Sequence, residues 1–442
     1  MYPNLYYVFK DLFGVEWSGL MVLNTFGLMV AVAFIAAAIV LTSELKRKEK
    51  LGLLTPREEM ITVGKPATPL ELLINAVIGF IFGFKVLGLL FSRPDNVNPQ
   101  DYIFSGQGSI GGGLLLAVVL CGLKWYEKNK QKLKDPERRN VRIWPHDRVG
   151  DIIILGLIFG ILGAKLFDNL ENWDEFVKDP VGRLFSASGL TFYGGLIVAA
   201  IAICWYASKR RISIIHLVDA AAPALMIAYA IGRIGCQVAG DGDWGIYNSA
   251  YTLDKEGKII VAQSHDFHSA IKNDSTYFLS GEAPGEDGKL RYVSDRKHQS
   301  LEAVQHAYFR GPSFLPNWMF GYNYPKNVNK DGILIPGDTD EHNRMLPQPV
   351  FPTPFYETIA CSLLFLLLWA IRKRTKIPGV IFGIYLILNG LERFVVEKIR
   401  VNTTYSIFGF HPTQAEIISF CLFVSGICLI IIQARKYKSP SA

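Results

Sequence analysis

Nine apolar runs punctuate this chain, near residues 20–41, 70–91, 108–123, 149–168, 189–207, 214–234, 355–371, 377–396 and 412–433. Each approaches the roughly 20 residues that a helix needs to cross a bilayer, the run at 108–123 being the shortest. One polar stretch, 246–353, is far longer than the others. It is rich in Gly, Asn, Asp and Tyr, and short apolar runs such as 257–262 predict some strands within it. The pattern predicts an all-α polytopic membrane protein of about nine transmembrane helices, with a mixed extracytoplasmic head between the sixth and seventh. In chain order this gives an extracytoplasmic N-terminal segment, 1–19, and a first membrane bundle, 20–245. The head, 246–353, the second part of the bundle, 354–433, and a cytoplasmic tail, 434–442, follow.

Within the first bundle, residues 70–123 resemble residues 149–207. Gly79-Phe-Ile-Phe-Gly83 matches Gly156-Leu-Ile-Phe-Gly160, and Trp125-Tyr126 closes one copy as Trp205-Tyr206 closes the other. Phe104-Ser105 precedes Gly111-Gly112-Gly113 as Phe185-Ser186 precedes Tyr193-Gly194-Gly195. A duplicated hairpin explains this economically. The first copy has no counterpart to Tyr193.

Composition agrees with a membrane protein: 50% of the 442 residues are hydrophobic and only 19% are charged, against roughly 25% in soluble chains. Loop charge sets an orientation. Basic residues crowd alternate connections, in 46–65, 124–148, 209–211, 372–376 and 435–438, twenty-five in all. The opposite short segments hold six: Lys10, Arg93, Lys178, Arg183, Lys398 and Arg400. By the positive-inside rule the N-terminus is expected outside and the C-terminus in the cytoplasm. The net charge of +7 then reflects loop bias, and no nucleic-acid partner is expected. The first run follows no basic segment and is anchored by a basic cluster, unlike a cleavable signal peptide.

Six cysteines lie in or beside apolar runs and lack zinc spacing, so neither a disulfide framework nor a metal site is expected. His265 and His268 stand three apart with no clear third ligand.

The candidate chemistry lies at span ends. The sixth run ends in Gly232-Arg233-Ile234-Gly235, followed by Gly240, Asp241, Gly242, Asp243 and Gly245. A charged side chain at the edge of hydrocarbon is costly unless paired, and closely spaced glycines let backbone bend around an anion. Arginine at a helix end also snorkels, so this stretch alone leaves both readings open. Lys165 near the end of the fourth run has the same two readings. Glu357 opens the seventh span, either as a helix-dipole partner or as part of a site. At the end of the eighth, Arg393, Glu397 and Arg400 are spaced four and three apart and share one helical stripe. That stripe is either a salt-bridged cuff or a pair of guanidinium groups oriented by a carboxylate. Arginine holds phosphate through paired N–H bonds and keeps its charge when partly buried. No Ser-His-Asp or metalloprotease motif is present.

These pieces together resemble the prolipoprotein diacylglyceryl transferase family. The resemblance is carried by Gly232-Arg-Ile-Gly235 with Gly-Asp-Gly-Asp-Trp-Gly245, by Gly163-Ala-Lys-Leu-Phe167 and by Phe192-Tyr-Gly-Gly195. Residues 17–29, Pro352-Thr-Pro-Phe-Tyr-Glu357 and Arg393-Phe-Val-Val-Glu397 with Arg400 follow the family's order. The family is usually described with seven spans, so 70–123 looks like an inserted transmembrane hairpin. The resemblance implies that diacylglyceryl passes from phosphatidylglycerol to the lipobox cysteine thiol of a preprolipoprotein, releasing glycerol phosphate. It also implies a multi-pass protein of the bacterial cytoplasmic (inner) membrane, with no cofactor. Its partners would be phosphatidylglycerol, a preprolipoprotein signal peptide and membrane lipid. It implies Arg233, Arg393, Glu397, Tyr193 and Asp241 as catalytic residues. Arg400, Lys165, Gly194, Gly235, Gly240, Gly245 and Glu357 are implied in substrate binding.

Three positions depart from the family. Tyr193 stands where its usual His precedes Gly-Gly, Cys236 where an Asn follows Arg-Ile-Gly, and Phe26 where the first span has a Tyr. A phenol, with a reference pKa near 10, is a poor base at pH 7. The alternative reading is therefore a catalytically altered lipid- or lipoprotein-binding membrane protein, or a transporter. Transporter sites usually lie nearer the bilayer midplane.

Overall fold

The computed structural model describes residues 1–91, 102, 106–185, 191–254, 256–263, 266–402, 405 and 410–438. Nine long helices run through them: α1 (Thr25–Lys50), α2 (Pro69–Phe91), α3 (Ile110–Lys130), α4 (Val149–Glu171) and α5 (Phe192–Lys209). After these come α6 (Ile214–Ala239), α7 (Thr353–Ile371), α8 (Val380–Glu397) and α9 (Gln414–Lys438). Among the described residues, eight are long and apolar enough to cross a membrane. The exception is α8, an 18-residue helix whose apolar face is interrupted by Glu392, Arg393 and Glu397. The chain is a multi-pass membrane protein. His265 and Phe104-Ser105 lie outside the described residues, as does Ser186.

The chain divides into two compact units: Val15–Val22 with Leu41–Leu217, and Met1–Gly14 with Leu23–Val40 and Val218–Ala442. The first contains two helical hairpins whose helices approach over glycine. A Cβ on Gly83 would lie 2.2 Å from the Gly112 carbonyl, and one on Gly163 would lie 2.5 Å from that of Gly194. Close glycine contacts thus join α2 to α3 and α4 to α5. In α2 a π turn spans Gly83–Leu87, and Lys85 within it donates to the carbonyls of Tyr102 (3.1 Å) and Gln107 (2.9 Å).

The connections read as basic loops hold an unexpected ribbon. Strands β1 (Arg57–Val63) and β2 (Glu137–Ile143) pair antiparallel over seven residues, from Arg57↔Ile143 to Val63↔Glu137. Several basic residues there are matched: Arg148 with Glu59 at 2.6 Å, Arg210 with Glu59 at 3.3 Å and Arg142 with Glu58 at 3.2 Å.

In the second unit, α6 packs its small face (Ala222, Met226, Ala230) against Cys361 and Leu368 of α7 and Ile381 of α8. Helices α8 and α9 cross over Gly383, Gly390 and Gly426; a Cβ on Gly426 would lie 2.6 Å from the Gly383 carbonyl. Buried Asp219 of α6 fixes the start of α8 by accepting from the N–H groups of Gly379 (2.8 Å) and Phe382 (3.0 Å). The head has a core of Trp244, Tyr247, Phe267, Tyr277, Phe278, Tyr324 and Val350, with several aliphatic neighbours. Its strands are short pairs, such as Tyr251–Leu253 with Ile259–Val261, the apolar run expected to contain a strand.

Asp219→Ala leaves two helix-start donors without their acceptor, which costs about 1–3 kcal/mol for a buried group. The variant is expected to melt several degrees lower in detergent, whereas Asp219→Asn, which retains one acceptor oxygen, should lose less.

Candidate active site

The site is assembled in the second unit from the end of α6, the start of α7, the end of α8 and the loop after α6. Arg233 lies in the penultimate turns of α6. Gly240 (φ +65°) and Gly242 (φ +95°) then turn the chain through a conformation open mainly to glycine, placing Asp241 and Asp243 in the loop. The loop is pinned from three directions. Arg296 of the head donates to the Gly242 carbonyl (2.7 Å), Thr353 Oγ1 donates to the Asp243 carbonyl (2.7 Å), and Ile246 N–H donates to the Ile399 carbonyl (2.9 Å). Gly245 permits the last contact, since a Cβ there would sit 2.4 Å from the Ile399 carbonyl.

Three arginines converge on three carboxylates. Glu357, whose side chain is 0% exposed, lies 2.7 Å from Arg233 Nε, 3.2 Å from Arg393 Nη1 and 3.6 Å from Arg400 Nη1. The Arg233 contact is close but off the N–H direction, so Glu357 Oε2 makes no hydrogen bond there. Tyr229, one turn before Arg233, donates its hydroxyl to Glu357 Oε1 at 3.3 Å, and the Arg233 guanidinium lies 5.3 Å from its ring centroid. Asp243 bridges two cations: Arg233 Nη1 and Arg400 Nη2, the latter at 2.9 Å. Glu397 lies 3.1 Å from Arg393 Nη2 and accepts from Asn402 (2.6 Å) and Thr413 (2.7 Å). The stripe Arg393, Glu397, Arg400 thus turns inward as part of a charged ring and is no surface cuff.

Of this ring only Asp243 has substantial access to solvent, its side chain being 37% exposed. Burial pushes its carboxyl up, but the Arg233 and Arg400 guanidinium groups outweigh that and hold it at about 2. Asp241 is raised by burial, while Cys236 donates its thiol hydrogen to it. Cys236 Sγ and oxygens of Asp241 and Asp243 lie within 4.8 Å of one another. The two guanidinium groups on Asp243 already supply the positive charge that a cation would bring, so this set is poorly suited to a metal.

Arg233, Arg393, Glu397, Arg400, Glu357 and Asp241 are therefore gathered at one end of the unit. The glycines serve close approach. Gly235 lets α6 meet Phe26 and Met29 of α1, and the N–H groups of Gly240 and Gly245 are committed to the carbonyls of Cys236 and Phe351. Lys165, Tyr193 and Gly194 belong to the other unit, where Lys165 is buried and Gly194 seats α5 against Phe167. Sequence reasoning had not singled out Tyr229, Asn402, Thr413 or Glu392. Glu392 was detectable, since an acid inside an apolar run is unusual.

A multi-pass membrane protein with a ring of paired arginines at one end of its helices is the class these features define. The sequence profile of the family described as prolipoprotein diacylglyceryl transferase matches residues 116–432. The chain belongs to that family. The match begins inside α3. Among similar proteins is the phosphatidylglycerol–prolipoprotein diacylglyceryl transferase of Leptospira interrogans, 34% identical over 26% of this chain and 42% of its own. The chain thus spans under half the length of that relative. Proteins of the same name from Streptococcus agalactiae (26% identical, over 74% of this chain and 90% of theirs) and Shouchella clausii (22% identical, over 78% and 95%) match more fully.

Because Asp243 is held below its ordinary carboxylate value of 3.8, its ion pairs stabilise the fold above that pH, and the stability is lost as pH falls through about 2. Thermal stability in detergent should fall between about pH 4 and pH 2, and Asp243→Asn should flatten that part of the profile.

Proposed function

We propose that this protein moves the diacylglyceryl group of phosphatidylglycerol onto the lipobox cysteine of prolipoproteins, releasing glycerol phosphate. The observation that carries this reading is the ring itself: three guanidinium groups oriented by buried carboxylates, in a chain of this family. The cysteine sulfur bonds to the glycerol carbon, the bond from that carbon to the phosphate oxygen breaks, and its electron pair leaves with the phosphate. No enzyme nucleophile and no cofactor are needed for the balance.

Each residue has a part. Asp243 spans Arg233 and Arg400 as two oxygens of a phosphate would. It is the most exposed acid of the ring and sits beside a glycine turn, so the lipid phosphate displaces it. Glu357 and Glu397, both enclosed, keep the guanidinium planes fixed meanwhile. As the carbon–oxygen bond breaks, Arg233, Arg393 and Arg400 stabilise the charge growing on the phosphate. Lys165, Tyr193 and Gly194 enter this proposal through the family resemblance alone. The loop-charge bias supports an inner-membrane protein with N-terminus and head outside and the C-terminus in the cytoplasm.

A second reading, of a family member that binds lipid without turning it over, is favoured by Tyr193 in place of the family's histidine. One assay separates them. The purified protein is incubated with phosphatidylglycerol and a lipobox peptide, and the peptide mass is read. Gain of a diacylglyceryl mass supports transfer; an unmodified cysteine beside a working control enzyme overturns it.

Arg393→Lys replaces a planar fork that contacts Glu357 and Glu397 with a point charge. It is expected to lower the transfer rate by about 100-fold or more, the scale of losing one oriented donor from a site of developing charge, with the peptide assay as the readout.

A further inference from the structure

The proposed chemistry has given no task to Glu392, a ring-side acid that, unlike Asp241 with its Cys236 thiol and Asp243 N–H donors, stands without partners. It is 8% exposed, and neither of its carboxylate oxygens has a hydrogen-bond partner. A buried carboxyl without partners costs several kcal/mol if charged and some of that if neutral, so its presence calls for a reason.

Its surroundings are those of the ring. The charges acting on it are Glu357, Arg393, Arg233 and Arg400, and it acts in turn on Tyr229, Cys361 and Tyr385. These groups face it from α6 (Tyr229, Arg233), α7 (Glu357, Cys361) and α8 (Tyr385, Arg393), with Arg400 just beyond. On α9, Glu416 is taken up by Lys398. Helical spacing gives the depth. Tyr229 and Cys361 lie four residues, about 6 Å, further from the site end than Arg233 and Glu357. Glu392 therefore sits at the inner edge of the guanidinium ring, on its apolar side.

That is where displacement needs a proton acceptor. With the phosphate in the ring, the attacked glycerol carbon lies next to it on the apolar side. Attack at a saturated carbon runs in line, so the sulfur approaches from the side opposite the departing oxygen. A thiol has a reference pKa of about 8.5 and must lose its proton to attack well. We propose that Glu392 is the general base of this site, accepting the proton of the lipobox thiol as the carbon–sulfur bond forms. The proton then leaves Glu392 for solvent or for the departing glycerol phosphate, which restores the carboxylate. The inference rests on the transferase reading above.

The test compares the full-length protein with Glu392→Gln and Glu392→Asp in the lipobox-peptide assay, using a cysteine peptide and a selenocysteine peptide. A selenol is ionised at neutral pH and needs no base. General-base catalysis contributes about 100-fold or more. With the cysteine peptide, Glu392→Gln should therefore lose at least about 100-fold in kcat, with little change in KM for phosphatidylglycerol, and the acidic limb of its pH–rate profile should disappear. With the selenocysteine peptide most of that loss should vanish, and Glu392→Asp should retain part of the thiol activity. A loss equal for both peptides would mean a structural role, and no loss would mean no role; either overturns the proposal. If the unmodified protein fails to modify either peptide beside a working control, the transferase reading has failed and this inference falls with it.

Discussion

Everything at the charged end of the second unit depends on Glu357, a fully enclosed carboxylate within 4 Å of three guanidinium groups. Three arginines brought together without it would repel one another in a low-dielectric setting, and a buried carboxylate without them would be an uncompensated charge. Each side makes the other tolerable. Breaking such an arrangement by removing one partner typically costs 3–5 kcal/mol. The ring is therefore a fixed feature of the fold before any ligand arrives. Its remaining freedom lies in Asp243, the acid that solvent reaches.

The apolar runs foretold the helices because each had to satisfy its backbone within itself, leaving an unbroken hydrophobic stretch in the chain. The ring was also foreshadowed. Arg393, Glu397 and Arg400 recur at helical spacing, and Arg233 and Glu357 each stand at a span end. The chain alone left open whether these charges turned inward or outward, since that depends on packing between α6, α7 and α8. The small residues Ala222 and Ala230 and the glycine crossing of α8 with α9 belong to that packing.

Other features stayed hidden for identifiable reasons. Glu392 sits beside Arg393 and off the helical stripe of Arg393, Glu397 and Arg400, so that spacing does not point to it. The family resemblance points to Asp241, yet it is Asp243 that bridges two arginines; the difference comes from contacts to Thr353 and Arg296, over 50 residues away. The strands β1 and β2 are dense in Arg and Glu and read as basic loops. Their pairing rests on backbone hydrogen bonds, which leave little mark on side-chain pattern.

That ribbon bears on how the hairpin of α2 and α3 is joined to the rest of the chain. Val63 and Glu137 are cross-strand partners, so their Cα atoms lie about 5 Å apart. Everything between them, α2 and α3 included, leaves and rejoins the unit through one narrow neck. A segment with neighbouring ends can be acquired or shed without stretching what remains, much as a side room shares one doorway with a hall.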